Sequence, residues 1–268
     1  MIRWAFLGAG SMAGAMVQGL ITRRVAGPQY ISCISGSGRT AEALARATGI
    51  QIAPSLAALV EGCDVLIVAC KPQQLASLDP SLARLTAGKL VVSVLAGKRL
   101  GTLARYFPQT RALVRVMPNT PAQIGAGISG WCASTALSEE DRATLLALLH
   151  ALGKEVEVRE HDMDALTAVA GSGPAYVFEF VAALREAGIK AGLAPDTAGL
   201  LVQETVLGAA KLLAHTGATP DSLRDRVTSP NGTTAAALKV FGERDLRGMV
   251  AAAVTAAVRR SNELSADS

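Results

Sequence analysis

The chain has little of what titratable active sites are usually built from. Three histidines stand in 268 residues, at positions 150, 161 and 215, and none falls in a recognisable motif. A 2-hydroxyacid dehydrogenase needs a histidine base beside an acid and an arginine, so that chemistry is disfavoured. Each histidine reads as a surface or helix-capping residue. The four cysteines, Cys33, Cys63, Cys70 and Cys132, form no C-x-x-C pair, which leaves metal and redox motifs unsupported. Cys33 and Cys70 lie in apolar, strand-like runs and read as buried core thiols, a usage that suits a reducing cytoplasm. Aromatic residues are few: five Phe, three Tyr and two Trp. No Lys/Arg run interleaves with them, so the net charge of +4 and the pI of 9.0 do not describe a nucleic-acid surface. The basic balance fits a protein with small anionic ligands. No apolar stretch of about 18 residues is free of charges and glycine turns, which predicts no membrane span. Ile2 already enters a predicted strand, which predicts no signal peptide.

Half of the residues are hydrophobic and 18% are charged, enough to bury a large core. Short apolar or β-rich runs at residues 2–7, 30–34, 64–69, 90–95, 111–116 and 127–132 read as strands, and 154–158 as a last one. Helical stretches at 13–23, 40–48 and 138–152 alternate with them, the last opened by the S-x-x-D box of Ser138 and Asp141. Such alternation predicts a parallel sheet with right-handed crossovers. Beyond residue 162 no strand is expected. Asp162 is expected to cap a helix running to Ala170, and Pro174 to start the next as a first-turn proline. In that helix Val177, Phe180, Val181 and Leu184 share a face. Pro195-Asp196 starts a third, apolar on nearly every side from 200 to 213, which must be enclosed by other helices or another subunit. A fourth runs from Asp245. The fold class is therefore α/β, with a dinucleotide-binding domain over 1–161 and an all-helical domain over 162–268. Only the last residues, 266–268, read as disordered.

Gly8-Ala9-Gly10-Ser11-Met12-Ala13 follows the first strand and opens the first helix, the context in which G-x-G-x-x-[GA] binds a dinucleotide. Gly8 permits the tight turn, Gly10 admits the pyrophosphate, and Ala13 keeps the helix near the strand. The phosphates then meet free N–H groups at the helix start, those of Ser11 and Met12 among them. An NAD enzyme usually places Asp or Glu about 20 residues on, to hold the ribose 2′-hydroxyl. Here the second strand ends in Ser35-Gly36-Ser37-Gly38-Arg39-Thr40, with no acid. Arg39 and Ser35 can bond a 2′-phosphate, so NADP(H) is favoured, with NAD(H) the second choice. Ala69-Cys70-Lys71-Pro72 and the Ala96-Gly97 turn end two further strands, at the carboxyl edge where open α/β sheets bind ligands.

Three strings remain: Arg115-Val116-Met117-Pro118-Asn119-Thr120-Pro121, Gly171-Ser172-Gly173-Pro174-Ala175-Tyr176 and Thr228-Ser229-Pro230-Asn231-Gly232-Thr233-Thr234. Together, in this order and spacing, they resemble the pyrroline-5-carboxylate reductases over nearly the whole chain. The resemblance implies a Rossmann domain followed by a helical dimerisation domain, in a homodimer or larger homo-oligomer. It implies reduction of 1-pyrroline-5-carboxylate to proline with NAD(P)H, the last step of proline biosynthesis, by a cytoplasmic oxidoreductase. Carried over by residue, Ala69, Lys71, Pro72, Ala96, Gly97 and Asn119 line the nicotinamide side of the cofactor. The loop of Ser229, Asn231, Gly232, Thr233 and Thr234 holds the substrate: backbone N–H groups take its carboxylate and Thr234 hydrogen-bonds the ring nitrogen as the catalytic residue. The family usually reads glycine where Asn231 stands and often where Ala237 stands, and often carries Asn at the position of Ser55, near the adenosine ribose.

A cyclic imine needs no strong general base. Protonation of its nitrogen already makes the carbon electrophilic, so the protein has chiefly to orient two rings and fix a carboxylate. That agrees with a site of hydroxyls and amides. A β-hydroxyacid dehydrogenase would place a catalytic lysine after the crossing, and residues 171–186 contain none. Glu179, one turn beyond Tyr176, reads as a helix-surface carboxylate. The competing readings are a reductase of another cyclic imine acid, since one methylene is worth only about 1–3 kcal/mol in a pocket, and a non-catalytic NADP-binding sensor.

Overall fold

The computed structural model describes residues 1–36 and 38–266. Ser37 of the cofactor turn, and Asp267 and Ser268 at the end expected to be disordered, lie outside the described residues. Ala266 belongs to the last helix. The chain divides into two compact units, one of residues 1–172 with the chain end from Ala257, the other Gly173–Ala256.

The first unit is built on an eight-stranded sheet of β1 (Trp4–Leu7), β2 (Ile31–Ile34), β3 (Gln51–Ile52), β4 (Val65–Val68), β5 (Leu90–Ser93), β6 (Ala112–Met117), β7 (Gly127–Ala133) and β8 (Gly153–Glu157). The spatial order is β3-β2-β1-β4-β5-β6-β7-β8, parallel at every pairing except β6 with β7. The two-residue edge strand β3 carries no sequence signal, being too short for alternation. β1, β4 and β5 are buried along their whole length, as strands covered on both faces must be. Their side chains alternate between two cores. Trp4, Phe6, Val65, Ile67 and Val92 face one side with Met16, Leu20 and Leu148. Ala5, Leu7, Leu66, Val68 and Val91 face the other with Leu59, Leu82 and Leu103. The antiparallel β6–β7 turnback follows from the Pro118–Ala126 segment, which is too short to carry a crossover helix.

Helix Glu139–Leu152 begins as expected: the Ser138 hydroxyl accepts from the Asp141 N–H at 3.1 Å. Its end is the sharpest backbone constraint in the sheet. Gly153 has φ +140°, and a Cβ there would overlap the Gly127 backbone in the neighbouring strand.

Two expectations are corrected. Asp162 makes no capping bond, because its carboxylate accepts from the Arg159 Nε at 3.0 Å instead. The helix that follows is α-helical only over Met163–Leu166 and then opens into a π-turn, Thr167–Gly171, where Ser172 donates to the Thr167 carbonyl at 2.9 Å. Pro174 has no N–H for the carbonyl four residues back, Ala170. That carbonyl is satisfied by the Asn119 side chain at 3.1 Å.

The second unit holds helices Gly173–Lys190, Pro195–Thr216, Pro220–Arg226 and Thr233–Glu243, and the start of Leu246–Ala266. No sequence expectation covers the two short ones, 220–226 and 233–243. Helix Gly173–Lys190 buries no residue, and helix Pro195–Thr216 buries only Ala198 and Val202. Phe178 and Leu200 are both more than 60% exposed in the single chain. By length and composition the run Glu160–Lys190 could cross a membrane. Gly171-Ser172-Gly173-Pro174 interrupts it, and its first turns bury Met163, Asp164 and Ala168 within the first unit.

Gly153→Ala is expected to lower stability by roughly 2–3 kcal/mol, since the backbone must leave a glycine-only conformation and the sheet edge must yield. Urea denaturation at fixed protein concentration measures it, and a loss under about 0.5 kcal/mol would count against this account.

Candidate cofactor and substrate sites

The register places the predicted cofactor residues on one edge. Leu7 pairs with Ile34 and Val68, Val68 with Ser93, and Ser93 with Arg115. The residues after each strand therefore emerge together at the carboxyl edge: 8–13 after β1, 35–36 and 38–39 after β2, 69–72 after β4, 96–97 after β5 and 119 after β6.

Gly8 is the pivot. Its φ is +113°, and a Cβ would drive into the carbonyl of Ala69. The Gly8 N–H donates to the Ile34 carbonyl and the Ala69 N–H to the Leu7 carbonyl, both at 2.9 Å. The turn is thus closed against both neighbouring strands. Gly10 differs: a Cβ there would meet no protein atom within 4 Å. Its open flank adjoins the start of helix Ser11–Thr22, whose N-terminus has no side-chain cap. Uncapped N–H groups facing open space suit a phosphate, so the residues present fit a dinucleotide. Ser11 is exposed, Met12 half-buried and Ala13 buried against the sheet.

At the end of β2 the Ser35 hydroxyl accepts from the Ala41 N–H at 3.2 Å, which leaves its own hydrogen available. Arg39 is exposed and pairs with no carboxylate among the described residues. The nearest acid, Glu42, sits in the first turn of helix Arg39–Thr48, where it complements the helix dipole. Ser55 is an N-cap, accepting from Ala58 at 3.1 Å.

Lys71 is exposed, and its backbone N–H donates to the Gln74 side chain at 2.9 Å, fixing the turn that Pro72 begins. Cys70 lies beyond the end of β4 and is half-buried, not the core thiol expected. Burial pushes its thiol up, so it adds no charge to the edge. Cys33, Cys63 and Cys132 are buried, and burial pushes the last two up to about 11. Ala96 is exposed at the tip of its turn, and Gly97 beside it is buried with φ +73°. Asn119 is committed at both ends of its amide: the oxygen accepts from the Ile128 N–H at 3.0 Å and the nitrogen donates to Ala170. It holds the end of β6 to its surroundings.

In the second unit, Ser229 to Thr234 forms a turn closed by the Gly232 N–H on the Ser229 carbonyl at 3.1 Å. Asn231 has φ +59°. It takes the left-handed conformation that asparagine tolerates better than other non-glycine residues, which explains how it replaces a glycine. Gly232 is the N-cap of helix Thr233–Glu243, and no side chain caps that end. Thr234 is half-buried, and its hydroxyl has no hydrogen bond among the described residues. A free hydroxyl beside uncapped N–H groups suits a ligand carrying a carboxylate and a polar nitrogen. The three histidines are exposed. A cavity of about 490 Å³ lined by Arg23, His150 and Lys154 includes none of the predicted site residues.

The family model described as pyrroline-5-carboxylate reductase dimerisation matches residues 160–264, and one described as NADP oxidoreductase, coenzyme F420-dependent, matches residues 3–97. A pyrroline-5-carboxylate reductase of Synechocystis sp. is 38% identical over 263 residues, 98% of each chain. The solved structure of a pyrroline-5-carboxylate reductase from Coxiella burnetii matches with a TM-score of 0.91 at 32% identity, covering 98% of both chains. That of the Plasmodium falciparum pyrroline carboxylate reductase, with NADP bound, matches with a TM-score of 0.88 at 27% identity over 98% of both. With full-length relatives of this identity and a fold that places the fingerprint at the sheet's carboxyl edge, the chain belongs to the pyrroline-5-carboxylate reductase family.

Proposed function

We propose that the protein reduces 1-pyrroline-5-carboxylate to L-proline with NADPH, as a cytoplasmic homo-oligomer. The observation that carries this reading is the pairing of two uncapped helix starts, one behind Gly10 and one behind Gly232, in a chain of this family. The first meets a pyrophosphate and the second a carboxylate. When bound, NADPH supplies the hydride. The chain's own residues do the rest. Gly8, Gly10, Ser11, Met12 and Ala13 seat the phosphates. Ser35 and Arg39 take the 2′-phosphate, which no carboxylate at the end of β2 repels. Ala69, Lys71, Pro72, Ala96, Gly97 and Asn119 line the nicotinamide side, with the Asn119 amide anchored to Ile128 and Ala170.

Ser229, Asn231 and Thr233 hold the substrate carboxylate through backbone N–H groups, and Gly232, whose own N–H closes the turn, shapes the loop around it. The Thr234 hydroxyl oxygen accepts a hydrogen bond from the protonated ring nitrogen. That bond keeps the proton where it makes the adjacent carbon electrophilic, and after reduction the same nitrogen is the amine of proline. The exposed apolar faces of residues 173–256 meet a second copy of the chain, not lipid or nucleic acid.

Purified protein mixed with NADPH and 1-pyrroline-5-carboxylate should show loss of the nicotinamide absorbance band. Faster turnover of the six-membered imine would move the substrate assignment to that ring, and tight NADPH binding without turnover would replace the reductase by a sensor. Arg39→Ala should raise KM for NADPH by about tenfold or more while leaving NADH within about twofold, because a charge-assisted hydrogen bond is worth about 1.5–3 kcal/mol; an equal effect on both cofactors would remove the 2′-phosphate assignment. Thr234→Ala should lower kcat by about tenfold to a hundredfold with NADPH affinity nearly unchanged, and parallel loss of cofactor binding would argue against its role at the imine.

A further inference from the structure

The loop between β5 and the next helix, Leu100–Tyr106, is held from an unexpected direction. Gly97 at its apex is buried, and a Cβ there would lie 3.1 Å from the Cβ of Leu264 and 3.3 Å from its carbonyl oxygen. Two residues on, the Arg99 guanidinium donates to the Asn262 side-chain oxygen at 3.1 Å and lies 3.6 Å from Asp164 Oδ2. Asp164 is buried, and its other oxygen accepts from the Ser261 hydroxyl at 2.6 Å. The Ser265 hydroxyl, also buried, donates to the Ser261 carbonyl at 3.0 Å. On the far side of the loop, Glu160 accepts from the Leu100 N–H at 2.5 Å and faces Arg115, itself nearly fully buried, at 3.5 Å. Every one of these residues belongs to the first unit.

A buried carboxylate is retained only where partners compensate it. Asp164 has two, one on the loop and one on the final helix. The arrangement ties the tip that presents Ala96 to the last turns of the chain, through a glycine that packs directly on Leu264.

We propose that the last turns of the C-terminal helix, with Ser261 acting through Asp164, are a clip that sets the position of the Ala96–Gly97 turn. Asp164, Ser261 and Asn262 are positioning residues: Asp164 and Asn262 touch Arg99 of the loop, and Ser261 touches Asp164. The inference rests on the reading that the 96–97 turn lines the nicotinamide. A displacement of about 1 Å in a positioning element can cost on the order of a hundredfold in rate. The loss from loosening the clip should fall on the cofactor side, not on the imine.

The test compares the wild-type full chain with Ser261→Ala, with Ser261→Thr, which keeps the hydroxyl, and with Asn262→Ala at the exposed end of the clip. In ligand-free protein, hydrogen exchange of the amides of residues 95–100 should be about tenfold faster in Ser261→Ala, with helix Ser11–Thr22 unchanged. With 4-deuterated NADPH, the primary isotope effect on kcat should rise and KM for NADPH should increase severalfold, while KM for the imine stays within about twofold. Ser261→Thr should restore the wild-type values, and Asn262→Ala should shift them in the same direction by less. Unchanged exchange in the loop with an unchanged isotope effect would overturn the clip. So would a uniform loss across all peptides that threonine fails to rescue. Should Ser261→Ala fail to fold, Asn262→Ala decides by the same measurements. Wild-type protein that binds NADPH yet turns over no imine would overturn the reductase reading, and the clip's catalytic consequence with it; accelerated loop exchange alone would leave the tether standing as structure only.

Discussion

Everything at the carboxyl edge depends on the closeness of Gly8 to Ala69. β1 can end where it does only because residue 8 has no side chain, and the helix that follows inherits its starting point from that turn. Any side chain at 8 would push the loop off the neighbouring strand and move the first N–H groups of the helix with it. The cost would appear as misplacement of the phosphate site as well as lost stability. Gly10 has the opposite environment, open where Gly8 is crowded. Two glycines one residue apart thus answer different demands, one set by the protein and one by the space in front of it.

A second constraint is chemical. Pro174 starts a long helix and removes a donor from the turn before it. Asn119, just beyond the end of β6, supplies the missing hydrogen bond, and its oxygen takes up an N–H of β7. One amide therefore answers for the irregular turn at 167–171 and for the end of β6. These two bonds use one hydrogen of its amide nitrogen and one lone pair of its oxygen, which leaves a second of each.

Much of the first unit was legible because most of its strands are short apolar runs followed by turns that carry glycine or proline, and helices alternate with them. The fingerprint, the acid-free end of β2 and the Ser138 cap were readable for the same reason: each is a local pattern with a local cause. β3 was not readable, since two residues carry no period. Nor was the failure of Asp162 to cap, which turns on competition from Arg159. The π-turn needed a partner 51 residues away in the chain. The ties among Arg99, Asp164 and Ser261 had no signature, because they join residues whose proximity only the folded chain creates. The left-handed backbone at Asn231 was foreseeable from its chemistry and its place in the loop.

The long helix from Gly173 to Lys190 contains no buried side chain. Its large apolar side chains keep much of their surface open, Phe178 64% and Phe180 47%, so the hydrophobic effect within its own chain is incomplete. Its cohesion must come by mass action, from encounter with another molecule, and the folded population of residues 173–256 will then respond to dilution in a way the sheet does not. Melting curves taken across a concentration series should therefore separate into a sheet transition that stays in place and a helical one that climbs as protein is added.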